Sequence, residues 1–257
     1  MRKIILILLI MSLQLFGQDN KYKVGFIIHD FTHDILTNVK FKYPKKVKDF
    51  VKVTYFSLEL DGHKVYDASS NPLSGGILGV SFFVNKRPNA KNIKLSYIDS
   101  LGHTDQRIKS MHNENVKVRQ VSSQDLIKNE YTDQKVWKIK DSETAKTFLY
   151  GSREPILGKI LLCIPDPMEE STNGVTLKIK SDVQFESLAI FINNNTYATI
   201  ATMNFFNKTI PDYISISMKK DGKIIIVGKG IDGELYQVSH HIRFVKEVDN
   251  GNINCHY

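Results

Sequence analysis

Apolar and polar residues alternate along much of this chain, and a period of two is the signature of strands with one buried face. Ile93, Leu95 and Tyr97 alternate with Lys94 and Ser96, and Asp99-Ser100-Leu101-Gly102 then supplies turn chemistry. Val51, Val53 and Tyr55 keep one parity, whereas Phe56, Leu58 and Leu60 keep the other. One residue of slip sends every later side chain to the opposite face, so this switch predicts a β-bulge near Tyr55. Asp61-Gly62 turns the chain into a strand from His63 to Tyr66. Gly79 to Val84 reads as another, beyond a loop marked by Pro72, Gly75 and Gly76. Gly158 to Ile164, Val175 to Lys180, Ser187 to Asn193, Thr196 to Phe205 and Tyr213 to Met218 repeat the texture. Lys220-Asp221-Gly222 and Ile231-Asp232-Gly233 are turn signals between apolar runs. Short strands at such regular spacing predict an all-β chain of two β-sandwich domains, about 100 residues each.

Residues 111–150 break the alternation. Ser122-Ser123-Gln124-Asp125 opens a short helical pattern, and Asp141 or Ser142 is placed to cap a second helix through Tyr150, with Gly151 stopping it. Trp137, the only tryptophan, falls in this joint and is expected to plug the space between the domains. The predicted organisation is a leader at 1–18, a first sandwich at 19–112, a linker with short helices at 113–150, a second sandwich at 151–248 and a C-terminal tail at 249–257.

Arg2 and Lys3 precede an aliphatic run from Ile4 to Met11 that closes at Leu15, Phe16 and Gly17. A positive head, an apolar segment too short to span a bilayer and a small residue at its end read as a secretory signal. Export to a periplasm is therefore expected, with no membrane attachment after cleavage. The chain has 35 Lys and Arg against 27 Asp and Glu. The distribution of that excess argues against nucleic acid. Lys42, Lys45, Lys46, Lys48 and Lys52 form the dense basic run, with no aromatic row to stack bases. Elsewhere lysines alternate with apolar residues, as Lys178 and Lys180 do with Leu177 and Ile179, which marks the solvent faces of strands.

No phosphate loop, nucleotide fingerprint or nucleophile elbow is present. His29 and His33 stand four apart but lack a third ligand, and the adjacent His240 and His241 would face opposite sides of a strand. No metal site is expected from either pair. The two cysteines carry more. Cys163 lies in Ile160-Leu161-Leu162-Cys163-Ile164, where a thiol behaves as a small buried hydrophobe. Cys255 is third from the end of a polar tail that follows the last strand-like run, Ile242 to Val245. Such a terminus is expected to be mobile. At roughly 3.3 Å per residue, its tether carries the thiol on the order of 30 Å. Three readings of Cys255 stand open: an idle thiol, a disulfide with Cys163, and a carrier thiol that takes a covalent cargo from site to site. Mid-strand burial of Cys163 weighs against the disulfide.

The order of segments resembles the sulfur-oxidation (Sox) carrier family, a complex of Z-type and Y-type subunits. The Y-like run is Phe148-Leu149-Tyr150-Gly151, Pro155 to Ile160, Ile164-Pro165-Asp166, Gly174 to Ile179, Glu186 to Phe191 and Asp232 to Tyr236. The Z-like run is Ile27 to Asp30, Asp61 to Tyr66, Gly79 to Val84 and Leu95 to Gly102. Together they cover nearly all of the mature chain, as a fusion of Z then Y. The resemblance implies two immunoglobulin-like β-sandwiches. It also implies a non-catalytic carrier that holds thiosulfate- or sulfane-type sulfur on Cys255, without another cofactor. Its partners in the family are a c-type cytochrome that loads the thiol and a hydrolase that releases sulfate; pairing of two chains through Cys255 is also open. The family arm is Gly-Gly-Cys-Gly-Gly, whereas Asn252, Ile253, Asn254, His256 and Tyr257 surround the cysteine here. The alternatives to a carrier are an exported structural or adhesive tandem sandwich, and a thiol- or metal-handling protein using Cys255 with His256.

Overall fold

The computed structural model describes residues 22–30, 34–42, 51–73, 76–85, 91–110, 135–169, 174–206, 210–218, 220–246 and 253–257. The expected leader, the Ser122–Asp125 helix, His33 and most of the basic run Lys42–Lys52 lie outside them. Among the described residues no helix is long and apolar enough to cross a membrane.

The chain is an all-β sandwich. Its first half supplies β1 (Lys23–Asp30), β2 (Asp34–Lys42), β3 (Val53–Leu60), β4 (His63–Ser70), β5 (Ile77–Asn85), β6 (Asn92–Asp99) and β7 (Thr104–Ser110). After a 3-10 turn at Val136–Lys138 and helix α1 (Ser142–Tyr150), the second half begins with β8 (Ile156–Leu157), β9 (Ile160–Pro165), β10 (Met168–Glu169) and β11 (Val175–Ser181). It continues with β12 (Phe185–Ile192), β13 (Thr199–Phe205), β14 (Tyr213–Ile216) and β15 (Gly222–Gly230). It closes with β16 (Leu235–Ile242), β17 (Phe244–Val245) and β18 (Ile253–His256). The bulge expected near Tyr55 is present, as a register shift between Val53 and Tyr55 where β3 pairs β6.

One large sheet runs in the order β1-β2-β5-β14-β11-β9-β18 and a second in the order β7-β6-β3-β4-β13-β12-β15-β16-β8, while β10 and β17 form a separate parallel pair. Both large sheets therefore cross the midpoint of the sequence. β5 pairs β14 in the first sheet, and β4 pairs β13 in the second. The two halves of the chain are laid edge to edge and share their sheets. Buried side chains of both halves form one continuous core between the layers. Phe41 packs on Phe56 across the layers at 5.2 Å, Phe56 on Tyr66 at 5.6 Å, and Tyr66 on Phe205 of the other half at 5.7 Å. Alternation specifies which face of a strand is buried, but it says nothing about which strand lies beside it.

Helix α1 forms where the sequence placed it. Asp141 caps it by accepting a hydrogen bond from the Thr144 N–H at 2.7 Å, and Gly151 ends it at φ 80°. Ala145 packs on Ala189, Phe191, Ile225 and Val227, so the helix covers the outer face of β12 and β15. Trp137 is buried, and its carbonyl accepts a hydrogen bond from Asn71 Nδ2, which also donates to Thr199 O at 2.7 Å. One side chain of the first half thereby fastens the joint and the second half together.

Candidate functional site

The site is the end of the chain and the strand it docks on. β9 alternates Ile160, Leu162 and Ile164, fully buried between the layers, with Leu161 and Cys163 on the outer face. β9 is paired by β11 on one side only, which leaves its other edge to the C-terminal residues. β18 fills that edge antiparallel, with Ile253 opposite Pro165, Cys255 opposite Cys163 and His256 opposite Leu162. Cys163 and Cys255 are joined by a disulfide.

This corrects two expectations. Cys255 is not a thiol on a loose tether, because residues 253–256 form a strand and the sulfur is bonded. Cys163 is not sealed from it either. Cys163 is 5 % exposed, and it lies one strand from the sheet edge, between Lys178 of β11 and Cys255 of the tail. The signal that could have found this is in β9, whose outward parity at Cys163 matches that of Cys255, and not in the polar tail. The two bonded residues still differ in exposure. Cys255 is exposed, as are Ile253, His256 and Tyr257, whereas Cys163 is buried.

Adjacent residues of a strand point to opposite faces, so His256 turns away from the disulfide and toward the space between the layers. There it stacks on His240 of β16, with ring centroids 4.1 Å apart and an interplanar angle of 25°. His240 has the inward parity of Val238 and Ile242, while His241 faces solvent, as their adjacency predicted. His240 Nε2 is buried without a hydrogen-bond partner, and Asp166 Oδ2 is 3.8 Å from it. Asp166 also faces Arg243, with Nε 3.8 Å from Oδ1. Burial, chiefly, and the neighbouring His256 push the His240 pKa below the usual imidazole value, against the pull of Asp166. The terminal strand is thus held three ways: by its ladder to β9, by a covalent bond on its outer side, and by an imidazole stack on its inner side.

His29 lies in β1, at the strand end where the sequence put it. Among the described residues no group of three or more His, Cys, Asp or Glu side chains could hold a metal ion. Chemically, the arrangement offers a disulfide, a bond open to thiol and sulfur nucleophiles, whose Cys255 residue is exposed. A scan against models of protein families finds no match for this chain, and a search of curated proteins finds none either.

Proposed function

We propose that the protein is an exported covalent carrier of reduced sulfur, loaded on Cys255 and kept between loads as the Cys163–Cys255 disulfide. The observation that carries this reading is the unequal exposure of two bonded cysteines, Cys255 exposed near the end of the chain and Cys163 buried in β9. Access decides which sulfur of a disulfide is attacked. A thiosulfate- or sulfane-type nucleophile attacks Cys255 Sγ, a new sulfur–sulfur bond forms there, and the old bond breaks. Its electron pair leaves on Cys163 as a thiolate, which takes a proton from water. The incoming sulfur is oxidised and Cys163 is reduced, so loading needs no further oxidant. The loaded arm then leaves β9 and meets its partner enzymes. A hydrolase of the kind implied by the family resemblance removes the oxidised sulfur as sulfate. That hydrolysis leaves a persulfide on Cys255. An acceptor thiol of a partner protein takes the sulfane sulfur and leaves the Cys255 thiol. A c-type haem protein then takes two electrons from the two cysteine thiols, with release of two protons, to restore the disulfide. The carrier itself turns nothing over. The Z-then-Y order of the resembling segments supports the same reading.

A second reading rests on the same bond: a structural clasp that fastens the C-terminus of an extracellular sandwich. Intact mass spectrometry decides between them. Oxidised protein incubated with thiosulfate is expected to gain one thiosulfate on the peptide containing Cys255, together with one free thiol at Cys163. A Cys255→Ser chain is expected to gain nothing. An unmodified disulfide after prolonged incubation at neutral pH, alone and with the partner cytochrome, leaves the clasp.

A further inference from the structure

On the outer face of the first sheet, at the seam where β5 meets β14, an open groove of ≈ 540 Å³ is lined by Lys40, Lys42, Ser81, Thr176, Tyr213 and Ser215, among others. Strand register explains its shape. Lys40, Gly79, Ser215 and Thr176 form one cross-strand row, and Asn38, Ser81, Tyr213 and Lys178 form the next. A Cβ at Gly79 would sit 2.7 Å from the Val39 carbonyl oxygen, so this position is confined to glycine and the floor stays open between Lys40 and Ser215. Tyr213 stands as an exposed wall, 42 % accessible, with Lys178 Nζ 5.7 Å from its ring centroid. Thr176 Oγ1 and Ser215 Oγ, 2.9 Å apart, add a pair of hydroxyls to the opposite side. Among the described residues Lys40 and Lys42 have no carboxylate partner. The nearby Asp212 lies in the field of Lys180 and Lys178, with its carboxyl pKa raised chiefly by burial.

We infer that this groove binds an acidic oligosaccharide, a chain of sugars bearing carboxylate or sulfate groups. The lysines supply charge-assisted hydrogen bonds to the acidic groups. The serine and threonine hydroxyls and the Asn38 amide match sugar hydroxyls in both directions, as donors and acceptors. The tyrosine ring gives the apolar face of a sugar a platform. The groove crosses four strands, so three inter-strand spacings give it a length of about 14 Å, room for a short chain rather than a single ion. One aromatic wall is a sugar platform, whereas single-stranded nucleic acid needs a series of stacking rings. The inference does not depend on the fate of Cys255.

The test titrates the full, oxidised chain by calorimetry with four probes: a uronate tetramer, a sulfated tetrasaccharide, a neutral glucose tetramer and an oligothymidylate. Saturable binding of at least one acidic tetramer is expected, with the neutral tetramer at least about tenfold weaker and the advantage of the acidic one shrinking as salt shortens the reach of the lysines. Lys40→Gln/Lys42→Gln is expected to weaken the acidic probe at least about tenfold, and Tyr213→Ala about fivefold, with unchanged circular dichroism. Which acidic tetramer saturates identifies carboxylate or sulfate as the recognised group. The inference is overturned if neither acidic tetramer binds, if the neutral one binds equally, if oligothymidylate binds tighter than both, or if folded variants bind as the parent does. Should a variant fail to fold, the four probes on the parent chain decide alone.

Discussion

Asp67 is a carboxylate with almost no water. It is 3 % exposed, on the outer face of the second sheet where β4 meets β13. Asn204 Nδ2, from the other half of the chain, donates to its Oδ1 at 2.8 Å, while Tyr55 Oη and Lys64 Nζ reach Oδ2 at 3.4 Å. Burial nevertheless dominates, and the Asp67 pKa is raised above the ordinary carboxylate value. Its partners lower the cost of the charge without removing it. In the folded state this group holds its proton more readily than in the unfolded chain. Stability therefore falls as pH rises from about 3.9 through the raised value, above which the contribution of the protonated form is lost. Asp67→Asn is expected to flatten that part of the pH profile in urea unfolding between pH 4 and 7 and to gain stability at pH 7. A variant with the parent's slope would place the titration elsewhere. Asn204→Ala leaves Asp67 Oδ1 without this donor, and a loss of about 1–3 kcal/mol is expected.

At the scale of one element, β18 shows what a strand gains from its surroundings rather than from its own residues. Ile253-Asn254-Cys255-His256 has neither the length nor the β-branched content that marks a strand, and on its pattern the segment reads as a loose tail. Its order comes from the edge of β9, the sulfur of Cys163 and the ring of His240, all distant in sequence. By contrast, α1 was legible, because an Asp cap and a terminal Gly act locally. The disulfide closes a sequence separation of 92 residues, which in the chain-entropy model contributes about 4–5 kcal/mol. Reduction should lower global stability by up to that amount and, before any global unfolding, raise hydrogen exchange in residues 253–256. Acid should act on the same strand. His240 is held neutral in the fold, so its contribution is present above the usual imidazole pKa of about 6.5 and is lost as pH falls through its lowered value. Asp166 favours the imidazolium, whereas His256 and His241 oppose it. In reduced protein the protection of residues 253–256, corrected for the intrinsic pH dependence of amide exchange, is therefore expected to be lower at pH 5 than at pH 7.5, and His240→Phe should remove this difference while keeping a ring against His256. Protection that survives both reduction and acid would mean that the ladder to β9 suffices, and that neither latch governs release of the arm.

For the whole molecule, the alternating pattern predicted two sandwich units, and the seam between them was beyond its reach. Each half presents correctly facing strands, and either could pair its edges with anything of suitable length. The choice of β5 with β14 and β4 with β13 is made by complementarity at the seam. Tyr66 meets Phe205 in the core, Asp67 meets Asn204 on the outer face, and Asn71 reaches Thr199 and the Trp137 carbonyl at the end of the strands. Separating the halves would strip the ladder from β4 and β5 on one side and from β13 and β14 on the other. Four strand edges would then be bare, and unpaired edges of this kind recruit other chains. Tyr66, fully buried in the intact chain, would stand at a new surface. Residues 19–134 and 135–257 expressed alone are therefore expected to aggregate or to bind each other, and together to restore a soluble complex at a one-to-one ratio. The intact chain should unfold in a single transition, with Trp137 fluorescence and far-ultraviolet circular dichroism changing together. Two separated transitions, or a half that is monomeric and cooperatively folded by itself, would mean that the seam is only a docking surface between independent domains.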